Sequence, residues 1–128
     1  NQIEWEAPEW RSFEVKARQV IFCVGPWTDP LGAELFPDWK TKVKPSQGIH
    51  LVFSAERIPL TGACVLQDRS GGRIVFAIPR KDLGSGVVIV GTTDTPVSGS
   101  PEDIRTTPQE VSYLLSLMNQ YFPTLQLT

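Results

Sequence analysis

The feature that most restricts the fold is a series of three β-prone apolar segments joined by short, turn-forming links. Cys64-Val65-Leu66-Gln67 and Arg73-Ile74-Val75-Phe76-Ala77-Ile78 flank Asp68-Arg69-Ser70-Gly71-Gly72. The glycines of that link supply the positive φ that tight hairpin turns require. A third apolar segment, residues 86–91, follows through Lys81-Asp82-Leu83-Gly84-Ser85, again turn-like. Three successive antiparallel strands are the expected result, since links this short cannot carry a parallel crossover.

The flanking sequence adds one strand and one helix to that sheet. Residues 42–54 read as extended, with Pro45 and Gly48 marking a bend. Beyond it Ile49, Leu51 and Phe53 alternate with His50, Val52 and Ser54, so His50 should face away from the bulkiest apolar row. Thr107-Pro108-Gln109-Glu110 has the form of a capping box with Pro at the first helical position. After it Val111, Leu114, Leu115, Met118 and Phe122 recur at three- and four-residue steps, a single apolar stripe suited to core packing. The fold class read from this is α+β: a mostly antiparallel sheet covered by a C-terminal amphipathic helix.

The first forty residues read differently. Residues 12–17 alternate as a half-buried strand does, and Val20-Ile21-Phe22-Cys23-Val24 is a continuous apolar run stopped by Gly25-Pro26. That run predicts a central strand buried on both faces. Residues 27–36 predict a short helix ended by Pro37. The expected division is residues 1–40, a strand and short helix of one domain, and residues 41–128, much of a second. The chain opens without Met and stops while apolar residues still appear, so both ends read as cuts in a longer protein.

Composition excludes several classes. With 41% apolar and 20% charged residues the chain is globular. A net charge of -2 with no Lys/Arg run gives no attraction for nucleic acid. No apolar run approaches the roughly 20 residues that span a bilayer. Cys23 and Cys64 show no metal-ligand spacing and read as reduced core thiols, consistent with a cytoplasmic compartment. With a single histidine no zinc cluster can be assembled, and no metal site is expected. Gly84-Ser85-Gly86 precedes a strand instead of opening a helix, so it is a turn and not a pyrophosphate cradle.

Three segments retain chemical interest: Cys23-Val24-Gly25-Pro26-Trp27, Pro45-Ser46-Gln47-Gly48-Ile49-His50 and Gly91-Thr92-Thr93-Asp94. In order and spacing they resemble the middle of FAD-dependent glycerol-3-phosphate dehydrogenases, where a strand ending A-T-G-P-W precedes P-S-K-G-x-H and then G-T-T-D. Arg73-Ile74-Val75-Phe76-Ala77-Ile78-Pro79 resembles that family's R-x-x-F-x-I-P, and the likeness runs on through Asn119-Gln120-Tyr121-Phe122-Pro123. The resemblance implies a two-domain fold like that of the D-amino-acid oxidase group. It also implies a quinone-linked enzyme, peripheral on the cytoplasmic face of a membrane, that oxidises glycerol 3-phosphate to dihydroxyacetone phosphate with hydride transfer to FAD. The family holds FAD through a G-x-G-x-x-G that this chain lacks, and takes several cationic substrate contacts from sequence beyond residue 128. The chain alone is therefore expected to be inactive, without bound FAD, and prone to self-association through exposed edges.

The residue assignments rest on that likeness. His50 is expected to accept the substrate hydroxyl proton, a role that neutral imidazole can fill near pH 7. Thr92 and Asp94, where an apolar strand ends, are expected on the substrate, although Asp94 would equally suit a turn cap. Gly25, Trp27 and Gly48 are expected beside the flavin. Cys23-Val24 in place of Ala-Thr, Gln47 in place of Lys and Arg80 in place of an aromatic residue depart from the pattern. These departures keep open a sister oxidase of amines or hydroxy acids. A free-standing module that binds a small phosphorylated ligand is a third reading.

Overall fold

The computed structural model of the chain describes residues 14–128. Its centre is a four-stranded antiparallel sheet made of β2 (His50–Ser54), β3 (Cys64–Gln67), β4 (Ile74–Arg80) and β5 (Val87–Gly91), in the order β2-β5-β4-β3. The hairpin expected across Gly71 and Gly72 joins β3 to β4. Asp68 and Arg73 close it through a backbone hydrogen bond of 2.8 Å, and Gly72 adopts a φ of 67°. A second, two-stranded ladder pairs β1 (Ser46–Gln47) with β6 (Thr95–Pro96). Strand β4 runs through Pro79, which is tolerated because β3 has already ended opposite Ala77 and that side of β4 carries no ladder.

Strict alternation divides the large sheet into two faces. Leu66, Val75, Ala77, Val88 and Val90 point inward and join Leu114, Leu117 and Met118 of α2 (Pro108–Tyr121) in one buried core, completed by Ile58 and Leu127. Helix α2 begins as the capping box predicts. The Thr107 hydroxyl accepts from the Glu110 N–H while the Glu110 carboxylate accepts from the Thr107 N–H. It is tied to β3 by the Tyr121 hydroxyl, which donates to the Gln67 carbonyl at 2.8 Å and accepts from the Gln67 N–H at 3.2 Å. The other face carries Val52, Val65, Ile74, Phe76 and Ile78, all exposed, with His50 among them. No helix of the described residues is long and apolar enough to cross a membrane.

The segment before β1 corrects two expectations. Residues 20–24 form no strand, and Val20, Ile21 and Phe22 are 69%, 82% and 50% exposed. A doubly buried strand needs a neighbour on each side, and none of the described strands lies beside this one. Cys23, expected in a core, is exposed with it, while Cys64 is half-buried. The alternating stretch at 12–17 gives no strand over residues 14–17; residues 12 and 13 lie outside the described residues. The helix expected over 27–36 is present as α1 (Thr28–Leu35), led by a 3-10 turn over Gly25–Trp27. Asp29 anchors this helix to the stretch leading into β1, accepting from Trp39 Nε1 at 2.9 Å and from the N–H groups of Lys42 and Val43.

Candidate functional site

The two ladders meet at a bend, and the bend is where the chemistry-bearing residues gather. The strand pair β2–β5 sets His50 opposite Gly91, and the pair β1–β6 sets Gln47 opposite Thr95. Between these registers the chain must turn on both sides at once, through Gly48 and Ile49 on one and through Thr92, Thr93 and Asp94 on the other. Gly48 is required by close approach, because a Cβ there would overlap Thr92 Oγ1 and the Thr93 carbonyl. The Ile49 N–H donates to Thr93 Oγ1 at 3.0 Å, closing the bend. The Gly91–Thr92 peptide is cis.

His50 is exposed on the outer face of the sheet, as its place in the alternation predicts. Its ring lies against Gly91, whose missing Cβ leaves the space that the imidazole Cδ2 and Cγ occupy. In register across the sheet, the row reads His50, Gly91, Phe76, Val65, so an open apolar surface borders the imidazole on the sheet side. Thr92 is exposed beside Gly48, and its hydroxyl donates to the Thr93 carbonyl at 2.8 Å. Asp94 is exposed two residues further on and takes no part in these contacts.

Gly48 also belongs to a second feature. A cavity of about 240 Å³ lies between the Gly25–Trp27 turn and the β1–β6 ladder, lined by Pro26, Trp27, Gln47, Gly48, Val97 and Ile104 among others. Gly25 opens that turn with a φ of 53°, and a Cβ on it would meet nothing within 4 Å. Its backbone is thus open to close approach from outside. The structure therefore brings Trp27 and Gly48 to one cavity and His50, Thr92 and Gly48 to one bend, with Gly48 common to both. His50, Thr92 and Asp94 do not line the cavity.

Behind the bend sits a residue that the sequence presented only as a helix cap. Glu110 is buried, at 6% exposed, and its carboxylate accepts four side-chain or backbone bonds. Gln47 Nε2 donates to Oε2 at 2.8 Å, the Thr107 N–H and hydroxyl donate to the same oxygen at 3.0 and 2.9 Å, and the Thr93 hydroxyl donates to Oε1 at 3.2 Å. These donors, the Gln47 amide foremost, hold its pKa down to about 2 against the burial that would raise it. The carboxylate is ionised near neutral pH, and its partners among the described residues are neutral dipoles.

Two of the departing residues are themselves engaged by neighbouring side chains. Gln47 does not face the open surface; its amide is turned inward to Glu110 and to the Arg105 carbonyl. Arg80 is engaged by Asp82, with Nε and Nη2 donating to the two carboxylate oxygens at 2.8 and 2.6 Å. That pairing holds Asp82 near a pKa of about 2. Arg80 stands four residues along β4 from Phe76 in the His50 row, roughly 13 Å at the usual strand rise.

The bend thus holds one imidazole against bare glycine backbone, bordered by an open apolar sheet face. The chain belongs to the FAD dependent oxidoreductase family, whose model matches residues 2–128. It is 31% identical over 117 residues to the aerobic glycerol-3-phosphate dehydrogenases of Staphylococcus aureus strains USA300 and NCTC 8325, a match covering 91% of this chain. The glycerol-3-phosphate dehydrogenase of Bacillus halodurans, solved in complex with FAD, superposes on 80% of the chain with a TM-score of 0.72 and 37% identity. The chain spans 20% of the length of each of these relatives.

Proposed function

We propose that this chain forms the substrate-side part of a flavoenzyme that oxidises glycerol 3-phosphate to dihydroxyacetone phosphate. In this reading residues 41–128 belong to the substrate domain and residues 1–40 go with the flavin-binding half. The observation that carries the proposal is the position of His50: an exposed imidazole, backed by Gly91, at the bend that shares Gly48 with the Trp27 cavity.

The residues fit one end of FAD. A flat apolar ring suits a slot walled by Pro26, Trp27, Val97 and Ile104, and the open backbone at Gly25 allows its edge to come close. None of these side chains is a cation suited to a pyrophosphate, so that part of the cofactor would be held by other residues of the complete protein. When bound, FAD supplies the acceptor for the hydride leaving carbon 2 of the substrate. His50 takes the proton of the hydroxyl on that carbon as the carbonyl forms, so the substrate loses one hydride and one proton. Thr92 orients the substrate by hydrogen bonding, and Asp94 is assigned to the same rim. Passage of electrons to a quinone and attachment at the cytoplasmic face of a membrane complete the reading.

The test uses the complete flavoprotein carrying this chain. His50→Ala is expected to lower glycerol 3-phosphate turnover by about 10² to 10⁴-fold, the usual contribution of a positioned general base. Because His50 is exposed, stability should change by no more than about 0.5 kcal/mol. Near-normal turnover in the variant would overturn His50 as the base. A wild-type protein that oxidises amines or 2-hydroxy acids but not glycerol 3-phosphate would overturn the substrate.

A further inference from the structure

We propose that Glu110 is a positioning residue for the His50 bend, acting from behind it through Gln47 and Thr93. This rests on the reading of His50 given above, and its test is chosen so that the two can fail separately. A glutamate in a capping box ordinarily needs only the N-cap N–H, and an exposed side chain serves. Glu110 is instead 6% exposed and reaches two segments far from its own helix. One oxygen takes the amide of Gln47 in β1, directly before Gly48. The other takes the hydroxyl of Thr93, itself 3% exposed, which in turn accepts from the N–H of Ile49, directly before His50.

The single carboxylate thereby grips both sides of the double bend and links them to the rigid start of α2. Between the two ladders the bend has few side-chain ties of its own among the described residues: Gly48 has no side chain, and the Thr92 hydroxyl bonds to the adjacent Thr93 carbonyl. A buried ionised group whose partners among the described residues are neutral donors is costly to maintain, and unsatisfying any one of them leaves a buried polar atom unpaired. Such a network holds one geometry or breaks. For a proton-accepting imidazole, displacement of about 1 Å is enough to lower a rate by as much as about 100-fold.

The experiment compares Glu110→Gln with Leu117→Ala in the complete protein. Leu117 is a core residue of α2 that makes none of the hydrogen bonds of this network, so its truncation lowers stability while leaving those bonds in place. Hydrogen exchange of the peptide covering residues 47–50 is read by mass spectrometry. Glu110→Gln is expected to accelerate it about tenfold or more, because the new amide sets a donor against the donors of Gln47 or Thr107, while Leu117→Ala at matched melting temperature leaves it within about twofold. Equal acceleration in both variants, or none in Glu110→Gln, would overturn the proposal.

With glycerol 3-phosphate, Glu110→Gln and Gln47→Ala should each lower kcat about tenfold or more while KM moves by less than about threefold, and Gln47→Lys, which keeps a donor toward the carboxylate, should retain kcat. Loss of kcat in Gln47→Lys equal to that in Gln47→Ala would overturn the route through Gln47. If exchange responds as expected but the wild-type protein does not oxidise glycerol 3-phosphate, the positioning stands and only the substrate assignment falls.

Discussion

The His50 imidazole and the bare backbone of Gly91 are partners across the β2–β5 ladder, and the ring occupies space that only a residue without a side chain leaves free. A Cβ on Gly91 would overlap the imidazole Cδ2 and the Ile49 carbonyl. Gly91→Ala is therefore expected to force the ring and the start of β2 apart. Overpacking of this kind costs about 1–3 kcal/mol, read as a fall in the denaturation midpoint. In a His50→Ala background part of the overlap disappears, so the two substitutions together should cost less than their sum. Strict additivity in that double-mutant cycle would show that the ring does not rest on Gly91.

The two faces of the sheet predict opposite responses to truncation. Leu114 is fully buried between α2 and the sheet, and Leu114→Ala should cost about 2–5 kcal/mol through lost contact and the cavity left behind. Val65 is 62% exposed on the outer face of the edge strand β3, and Val65→Thr keeps its branched shape. That change should lie within about 0.5 kcal/mol. Urea unfolding of the two variants checks the assignment of faces. A large loss at Val65 would mean that the outer face is covered.

How far the sequence could be read depended on the range of the interactions concerned. The hairpin at Gly71-Gly72, the capping box at Thr107 and the outward turn of His50 follow from local periodicity and turn chemistry, and each is found. Of the α2 stripe Leu114 and Met118 are buried while Val111, Leu115 and Phe122 are half-buried, and the buried Leu117 lies outside it. Residues 20–24 fail because an apolar run specifies burial only if partners stand beside it, and periodicity carries no information about partners. The β1–β6 ladder was hidden for a related reason: two-residue strands have no period to detect. Glu110 shows the same limit at the site. Its capping role is written in four adjacent residues, but its bonds to Gln47 and Thr93 exist only after the chain has folded back across 63 and 17 positions.

Tyr121 fastens the end of α2 to the edge of the sheet through one hydroxyl that both donates and accepts at Gln67. Tyr121→Phe keeps the ring and removes both bonds, leaving the Gln67 backbone groups to water. The expected cost is about 0.5–1.5 kcal/mol, seen as a lower urea midpoint with an unchanged slope. Exchange at the Gln67 amide should accelerate in parallel. A variant as stable as the parent would mean that water replaces the hydroxyl without loss.

Acid should weaken the protein in a window set largely by Glu110. Its pKa lies at about 2 in the folded chain, below the ordinary value of 4.5 to which it returns on unfolding. Between those values the unfolded state binds more protons than the folded one, so stability rises with pH there. The contribution is fully present above about pH 5 and is lost as pH falls toward 2. Asp82, at about 2, and Asp29 and Asp68, also lowered, act in the same direction. Asp82 is exposed and paired with Arg80, whereas Asp29 and Asp68 are half-buried and held by hydrogen bonds from Trp39 and Ser70, so added salt should blunt chiefly the ion-paired Asp82. Urea unfolding from about pH 7 to about pH 2.5 in high salt therefore isolates the buried group most clearly. Glu110→Gln should be less stable than the parent at about pH 7 and should lose less on acidification, so that the two curves converge near about pH 2.5. Parallel curves would show that the Glu110 carboxylate titrates alike in the folded and unfolded chain.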